Sequence, residues 1–526
     1  MKPRWVAGTP ELHNAVEQAM AKPEASTVEI VAASKHRRIT RLDLPLLGKN
    51  VVVKEYLPAS HHENLGARAI DTIRPWFGRS SAEHEWSSYE VLHANGIPVP
   101  DPLGFARLPG GGAWIVMRFI EGAAPLQQRL SGYPFEKRRR MRELGELIHE
   151  LHKTGLSHSD LHVGNVLVSA KEMWLVDLQR VVPFKHTSDR VQDVSFMDFS
   201  LHHAGVSVAA RLRFRIAALG LGPFRVASER ELLREVGRAS HRRAVDYYHG
   251  RTRRTLREGE GFARLRSREG SGMRLETVSE EAIDAMLAAH RDIVATGGPA
   301  RLKCDHRSNV TRVEFGDGTA IVKEVVKTSA RKRLADLFRG SPGQRAWLAG
   351  HGLRLRGIGA AQPLAYGERF DRGVPVGSWV ILEDLGDAPS VASLTPEDAK
   401  EAELGKHLLD LLRRLHRAET VHGDLQAVHI HFVEGRPTLI DLESVRFLEC
   451  LYDRHRIKML CELNASVADE VLPTTKRCDL LDRYLVALPF DRGNARAVGE
   501  IVRRSLARRQ RWQGVGCDLS RRFVES

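Results

Sequence analysis

One set of landmarks occurs twice along the chain, and that repetition constrains the fold more than any local propensity does. The segment ITRLDLPLLGKNVVVKEY parallels VTRVEFGDGTAIVKEV, and each places a lysine two residues before the end of a β-branched run, Lys54 in one and Lys323 in the other. Further on, LHKTGLSHSDLHVGNVLV parallels LHRAETVHGDLQAVHIHF, and LVDLQRV parallels LIDLESV. Asp160 and Asp177 in the first copy match Asp424 and Asp441 in the second, and both pairs stand 17 residues apart. The offset between copies is 269 residues at the lysine and 264 at both aspartates, so three anchors keep their register over the whole repeat. With 526 residues, each copy is long enough to bury a core of its own. The expected domains are 1–275 and 276–526, joined near the glycine- and serine-bearing stretch REGEGFARLRSREGSGM.

Each copy opens with alternating β-branched runs, the period-2 pattern of half-buried antiparallel strands. A helical pattern follows in which Trp86 and Trp347 each stand 10 residues before a Gly-Ile that ends the helix. A further strand comes next, AWIVMRFIEG or SWVILEDLGD, and then ELGELIHELH and LGKHLLDLLRRLH show i, i+3, i+4, i+7 apolar spacing and run into the aspartate motifs. The order is a strand lobe with one helix, then a helical lobe, an α+β arrangement.

In the first copy His158-Ser159-Asp160-Leu161 with Asn165, followed by a hydrophobic run and Asp177, brings two carboxylates and an amide from neighbouring loops. Hard oxygen ligands on short side chains suit Mg²⁺, which keeps several waters and is shared with substrate phosphates. A strand lysine, Lys54, supplies a point charge for nucleotide phosphates, and a helix glutamate can hold that lysine. Glu85 meets this need, and Glu83 on the same helix is the alternative partner.

This set resembles the protein-kinase-like fold. The absence of D-F-G and A-P-E, the short HSDLHVGNVLV loop, the E-W…G-I-P-V-P-D-P-L segment and the R-G-S-P-G-Q-R-A-W…G-H segment narrow the resemblance to the bacterial lipopolysaccharide kinase family, the Kdo/WaaP-like kinases. It covers most of both copies and is weakest over residues 200–275 and the last 80. It implies a tandem duplication of a bilobal kinase-like domain, with ATP as donor and Mg²⁺ as metal. Carried over, Asp160 and Asp424 take the catalytic-loop place, Asn165, Asp177 and Asp441 the metal, and Lys54, Glu85 and Lys323 the nucleotide.

The second copy departs from the pattern. His429 stands where the loop asparagine is expected, and Gln344 and Ala346 stand at the positions of Glu83 and Glu85. The motif set is therefore complete in the first copy and degenerate in the second. Neither copy has G-x-G-x-x-G; ASKHRRITR and CDHRSNVTR occupy that place, with Ser34 or Ser308 as candidate phosphate contacts. The remaining histidines, His429 included, show no ligand spacing and read as loop or core residues.

Net charge is +14, which favours acidic partners. The segment from Arg211 to Arg274 holds 17 arginines among seven acids and reads as a solvated helical face first, an anionic membrane surface second, and nucleic acid last. Five cysteines, Cys304, Cys450, Cys461, Cys478 and Cys517, form no C-x-x-C pair and read as buried thiols of a reducing compartment. With no apolar run of 18 residues and no signal-like start, the expected location is the cytoplasm, as a soluble species or a peripheral one at the inner face of the membrane. The resemblance implies phosphoryl transfer to a sugar hydroxyl of a glycolipid. A small-molecule kinase of the aminoglycoside or choline type, and a nucleotide-binding pseudokinase scaffold, are the rival readings.

Overall fold

The computed structural model describes residues 3–21, 28–34, 36–44, 47–57, 80–130, 134–170, 172–184, 186–222, 226–325, 336, 338–371 and 373–513. The fold is mixed α+β and divides into two units, Met1–Ala244 and Val245–Ser526.

The first unit opens with a six-stranded antiparallel sheet in the order Arg4–Ala7, Pro102–Arg107, Ala113–Arg118, Lys49–Tyr56, Arg37–Leu44, Val28–Ala33. Alternation sorts the central strand: Val51 and Val53 are fully buried with Leu12 and Val16 of the helix Pro10–Met20, while Val52, Lys54 and Tyr56 turn to the other face. That other face packs on the helix Ser81–Ala94, whose Ala82, Glu85, Trp86 and Tyr89 are buried at i, i+3, i+4 and i+7. Gly96, at φ 71°, lets Ile97 donate to the Leu92 carbonyl at 3.0 Å, which closes the helix as its Gly-Ile signal predicts. The helices Pro134–Lys153, Thr187–His203, Val208–Ala218 and the start of Ala227–Arg254 follow.

The second unit has a seven-stranded antiparallel sheet, Phe262–Ser267, Gly270–Leu275, Pro363–Asp371, Val374–Glu383, Gly318–Val325, Ser308–Phe315, Arg301–Cys304. The helix Glu280–Thr296 packs on one face through Ile283, Met286 and Leu287. On the other lies Pro342–Leu355, where Gly343 and Gly350 allow close approach: a Cβ on them would meet the Trp379 carbonyl at 2.6 Å and Pro363 at 2.4 Å. Leu404–Arg417, Asp453–Ser466, Thr474–Ala487 and Asn494–Gln513 make the helical part.

These observations correct three expectations. Among the described residues each sheet carries two helices, not one; the extra ones are N-capped by Thr9 and Ser279, whose side chains accept the amides of Leu12 and Ala282. The division falls at 244/245 and not at 275, because the stretch read as a join is a hairpin of the second sheet. Its glycines serve strand contact: a Cβ on Gly272 would meet the Tyr366 carbonyl at 2.1 Å. Of the cysteines, Cys461 and Cys478 are buried but Cys304 and Cys450 are exposed, and Cys517 lies outside the described residues.

Several arginines of the basic segment serve the fold. Fully buried Asp198 accepts from Arg211 at 2.8 Å, Arg215 at 2.6 Å and Ser240 at 2.6 Å, and Glu260 pairs with Arg251 and Arg254. Among the described residues no helix is long and apolar enough to cross a membrane.

Candidate active site

Lys54 sits at the centre of the first unit's site. Its Nζ donates to Glu85 Oε1 at 2.7 Å and to Asp177 Oδ1 at 2.6 Å, with the lysine side chain only 6% exposed. The second oxygen of Glu85 accepts from the Tyr56 hydroxyl, and Oε1 also takes the Leu178 amide at 3.2 Å. Glu83 points elsewhere, into a capping box with Ser80 and a 2.5 Å ion pair with Arg107. The partner of Lys54 is thus Glu85, the glutamate that shares a helix face with Trp86 and Tyr89.

Asp177 has φ 60°, a left-handed turn held by the Tyr89 hydroxyl, which accepts its amide at 3.3 Å. Burial alone would raise its pKa; Lys54 and then Arg37, whose guanidinium lies 2.9 Å from Oδ1, outweigh that and hold it below the usual carboxylate value. The stability this ionised group contributes is complete above the unfolded carboxylate's pKa and is lost as pH falls through the lower folded value.

The loop bearing Asp160 is fixed from beneath. Fully buried Asp193 accepts the amides of His158 at 2.7 Å and Ser159 at 2.8 Å, and the His152 ring lies 3.2 Å away. The His158 Nε2–H donates to the Val176 carbonyl at 3.2 Å, and burial lowers the pKa of its imidazole. Val176 donates to the Asn165 carbonyl at 3.0 Å, which ties the two motif loops together. Asn165 Nδ2 donates to the Asp160 carbonyl at 2.9 Å, leaving Oδ1 as the atom to ligate or accept. The Asp160 carboxylate stays accessible, 3.6 Å from Arg180. Ser34, Arg37, Lys54, Asn165 and Asp177 all line one cavity of about 580 Å³.

In the second unit Lys323 lies 2.5 Å from Asp441 and 2.7 Å from Glu443. Burial would depress its pKa, but Glu443 and Asp441 together raise it. The carboxylate lost from the helix at Ala346 has thus been replaced from the loop, at the position where the first unit has Gln179. His429 reproduces Asn165: its Nδ1 stands 2.9 Å from the Asp424 carbonyl, which can only accept, so Nδ1 carries the proton and Nε2 is left as a ligating atom. Asp424, His429 and Asp441 offer ligand atoms within 4.8 Å of one another, which corrects the reading of His429 as a plain loop histidine. The Asp424 carboxylate is capped by Gln426 Nε2 at 2.6 Å, and Lys458, on the helix Asp453–Ser466, donates to the Gly423 carbonyl of the loop.

The model of the lipopolysaccharide kinase (Kdo/WaaP) family matches residues 25–217 and 328–484, more than half of the chain. The chain belongs to the lipopolysaccharide kinase (Kdo/WaaP) family. A 3-deoxy-D-manno-octulosonic acid kinase of Xylella fastidiosa (strain 9a5c) is 32% identical over 111 residues, covering 20% of this chain and 44% of that protein. The enzyme of the same description from Stenotrophomonas maltophilia (strain R551-3) is 33% identical over 117 residues, 20% of this chain and 45% of its own. A probable bifunctional tRNA threonylcarbamoyladenosine biosynthesis protein of Methanosarcina acetivorans is 28% identical over 200 residues, 36% of this chain and 33% of that protein. The chain spans less than half the length of these curated relatives. A solved structure described as WaaP in complex with acyl carrier protein matches at 17% identity and a TM-score of 0.33, over 45% of this chain and 98% of that one.

Within this lipopolysaccharide kinase family member, the sequence motifs left out Arg37, Tyr56, Asp193 and Glu443. Glu443 was open to discovery, because the second copy gains an acid beside Asp441 where it lacks one at Ala346. Asp193 had no such signal, being one acid on an ordinary amphipathic helix.

Proposed function

We propose that the chain is an ATP-dependent phosphotransferase built from two tandem bilobal kinase-like domains, with the first unit carrying the reaction and a sugar hydroxyl of a lipopolysaccharide-type glycolipid as acceptor. The observation that carries this is Lys54 bridging Glu85 and Asp177 at 2.7 and 2.6 Å, beside Asn165 and the Asp160 loop. The family match, one segment in each unit, supports the duplication.

The oxygen set of Asn165 and Asp177, gathered beside two cations on an open cavity, fits a hard divalent ion. Mg²⁺ held there would neutralise phosphate charge. Lys54 fixes the nucleotide phosphates, and Asp160 orients the acceptor hydroxyl and takes its proton as the new oxygen–phosphorus bond forms. The bond from the γ-phosphorus to its bridging oxygen breaks, and ADP leaves. Arg180 beside Asp160 favours an anionic acceptor over the cationic aminoglycoside or choline class. A location at the cytoplasmic face, as a peripheral protein, follows from such an acceptor.

The test is the mass gain of lipopolysaccharide core fragments, an aminoglycoside and choline, each incubated with Mg²⁺ and ATP. A gain of one phosphate on the core fragment alone is expected; a gain on the aminoglycoside alone selects the small-molecule reading.

The second unit is proposed as a degenerate copy. An imidazole among the ligands shifts metal preference from Mg²⁺ and Mn²⁺ towards ions such as Zn²⁺ or Fe²⁺. In the full chain, Asp177→Asn should weaken Mg²⁺-ATP binding by about 10-fold or more, and Asp441→Asn should weaken it far less, as titration calorimetry will read. A larger loss from Asp441→Asn would place the nucleotide site in the second unit.

A further inference from the structure

Among the described residues, three amides of the turn that stands where a glycine-rich phosphate loop belongs are bonded within the turn. Ser34 donates its N–H to the Arg37 carbonyl at 2.7 Å, and its hydroxyl accepts from the amides of His36 at 3.4 Å and Arg37 at 3.1 Å. These amides are therefore taken, and phosphate recognition falls to side chains.

Arg37 is placed for that task. It opens the strand Arg37–Leu44 and pairs with Tyr56, two residues along from the Ile39–Lys54 pair, and both Arg37 and Lys54 line the cavity. Its guanidinium and the Lys54 ammonium converge on the same atom, Asp177 Oδ1, at 2.9 and 2.6 Å. The two cations are not equally bound. Lys54 is 6% exposed and also anchored by Glu85, whereas Arg37 is 32% exposed and has Asp177 as its one ion-pair partner among the described residues. When a divalent ion or a nucleotide arrives, Arg37 is the cation that can leave.

The second unit supplies a contrast. There the strand register puts Ser308 at Arg37's place, opposite Val325. The carboxylate of Asp305 takes the amides of Arg307 and Ser308, each at 2.8 Å, which sets a negative charge where a phosphate would approach. The guanidinium thus accompanies the complete motif set only.

We propose that Arg37 leaves Asp177 when nucleotide binds and grips its terminal phosphates, a planar guanidinium fork doing the work of the missing glycine-rich loop. In the free protein the same side chain competes with divalent cation for Asp177. The inference rests on the first unit being the phosphotransferase site, and it deepens that reading.

Arg37→Gln and Arg37→Lys in the full chain test it, with Mn²⁺ as the probe ion. Three readouts are taken: Mn²⁺ binding to nucleotide-free protein by electron paramagnetic resonance, ATP affinity by calorimetry, and transfer rate. For Arg37→Gln, Mn²⁺ affinity should rise by about 2- to 5-fold as the competing cation is lost. ATP affinity should fall, and transfer should fall by at least about 10²-fold. Arg37→Lys should restore Mn²⁺ affinity to the wild-type value and leave transfer impaired, since charge returns without the fork. The opposite signs of the metal and nucleotide changes are the signature. If Arg37→Gln weakens Mn²⁺ and ATP binding together, Arg37 only organises the site and the proposal falls; unchanged ATP affinity and rate also overturn it. If wild-type protein binds ATP but phosphorylates no acceptor offered, the two affinities still decide the role of Arg37, so a wrong acceptor and a wrong arginine give different results.

Discussion

Asp160→Ala should lower transfer by at least about 10²-fold, the smaller end of what a positioned acid–base group supplies, while Asp424→Ala should leave it unchanged. The asymmetry follows from what each carboxylate touches. Asp160 keeps its oxygens accessible, with Arg180 as its ion-pair partner among the described residues, and sits in a loop fixed through its backbone by Asp193 and Asn165. Removing its carboxylate therefore deletes the acceptor of the hydroxyl proton without unfastening the loop, and the melting temperature should hardly move. Asp424 is already capped by Gln426 and lies beside the imidazole of His429. Rates and melts for both variants decide the matter. Loss of transfer in Asp424→Ala alone, with both proteins folded, would falsify the assignment of the first unit as the working one.

The second large effect is on stability. Glu85→Ala should destabilise the first unit by about 3 kcal/mol, the lower end of the cost of breaking a buried ion pair, because Lys54 keeps Asp177 as a partner. Three donors lose Glu85 at once, the Lys54 ammonium, the Tyr56 hydroxyl and the Leu178 amide, in a place where Glu85 itself is fully buried. Glu83→Ala removes an exposed pair with Arg107 and half of a capping box, so about 1 kcal/mol is expected. Urea unfolding of the two single variants separates them. Equal losses would mean that the buried network around Lys54 does not hold the sheet to its helix.

The motif residues were legible because their chemistry leaves little choice of residue type. A lysine on a β-branched strand, aspartates 17 residues apart and a loop asparagine can be located by spacing alone. The choice between Glu83 and Glu85 was also written in the chain, since only Glu85 falls on the helical face of Ala82, Trp86 and Tyr89. Other features were hidden for physical reasons. In the hairpin of Phe262–Ser267 and Gly270–Leu275 the buried side chains are Leu265 and Met273, set among arginines and glycines. Such a sequence reads as a linker until a neighbouring strand shows why the glycines are needed. Arg37 looked like one more basic residue of a polar turn, and its meaning depends on an aspartate 140 positions away.

The second carboxylate at the strand lysine comes from a helix in the first unit and from a loop in the second, which changes what the lysine ties together. In the first, a charged link joins the lysine strand to the helix Ser81–Ala94, and the same lysine reaches Asp177. In the second, Lys323 is clamped by Asp441 and Glu443 from a single loop, and Gly343 and Gly350 bring the helix Pro342–Leu355 against the sheet with no room for a β-carbon. Among the described residues, the lysine of the first unit is thus tied to a helix and a loop, and that of the second to one loop alone.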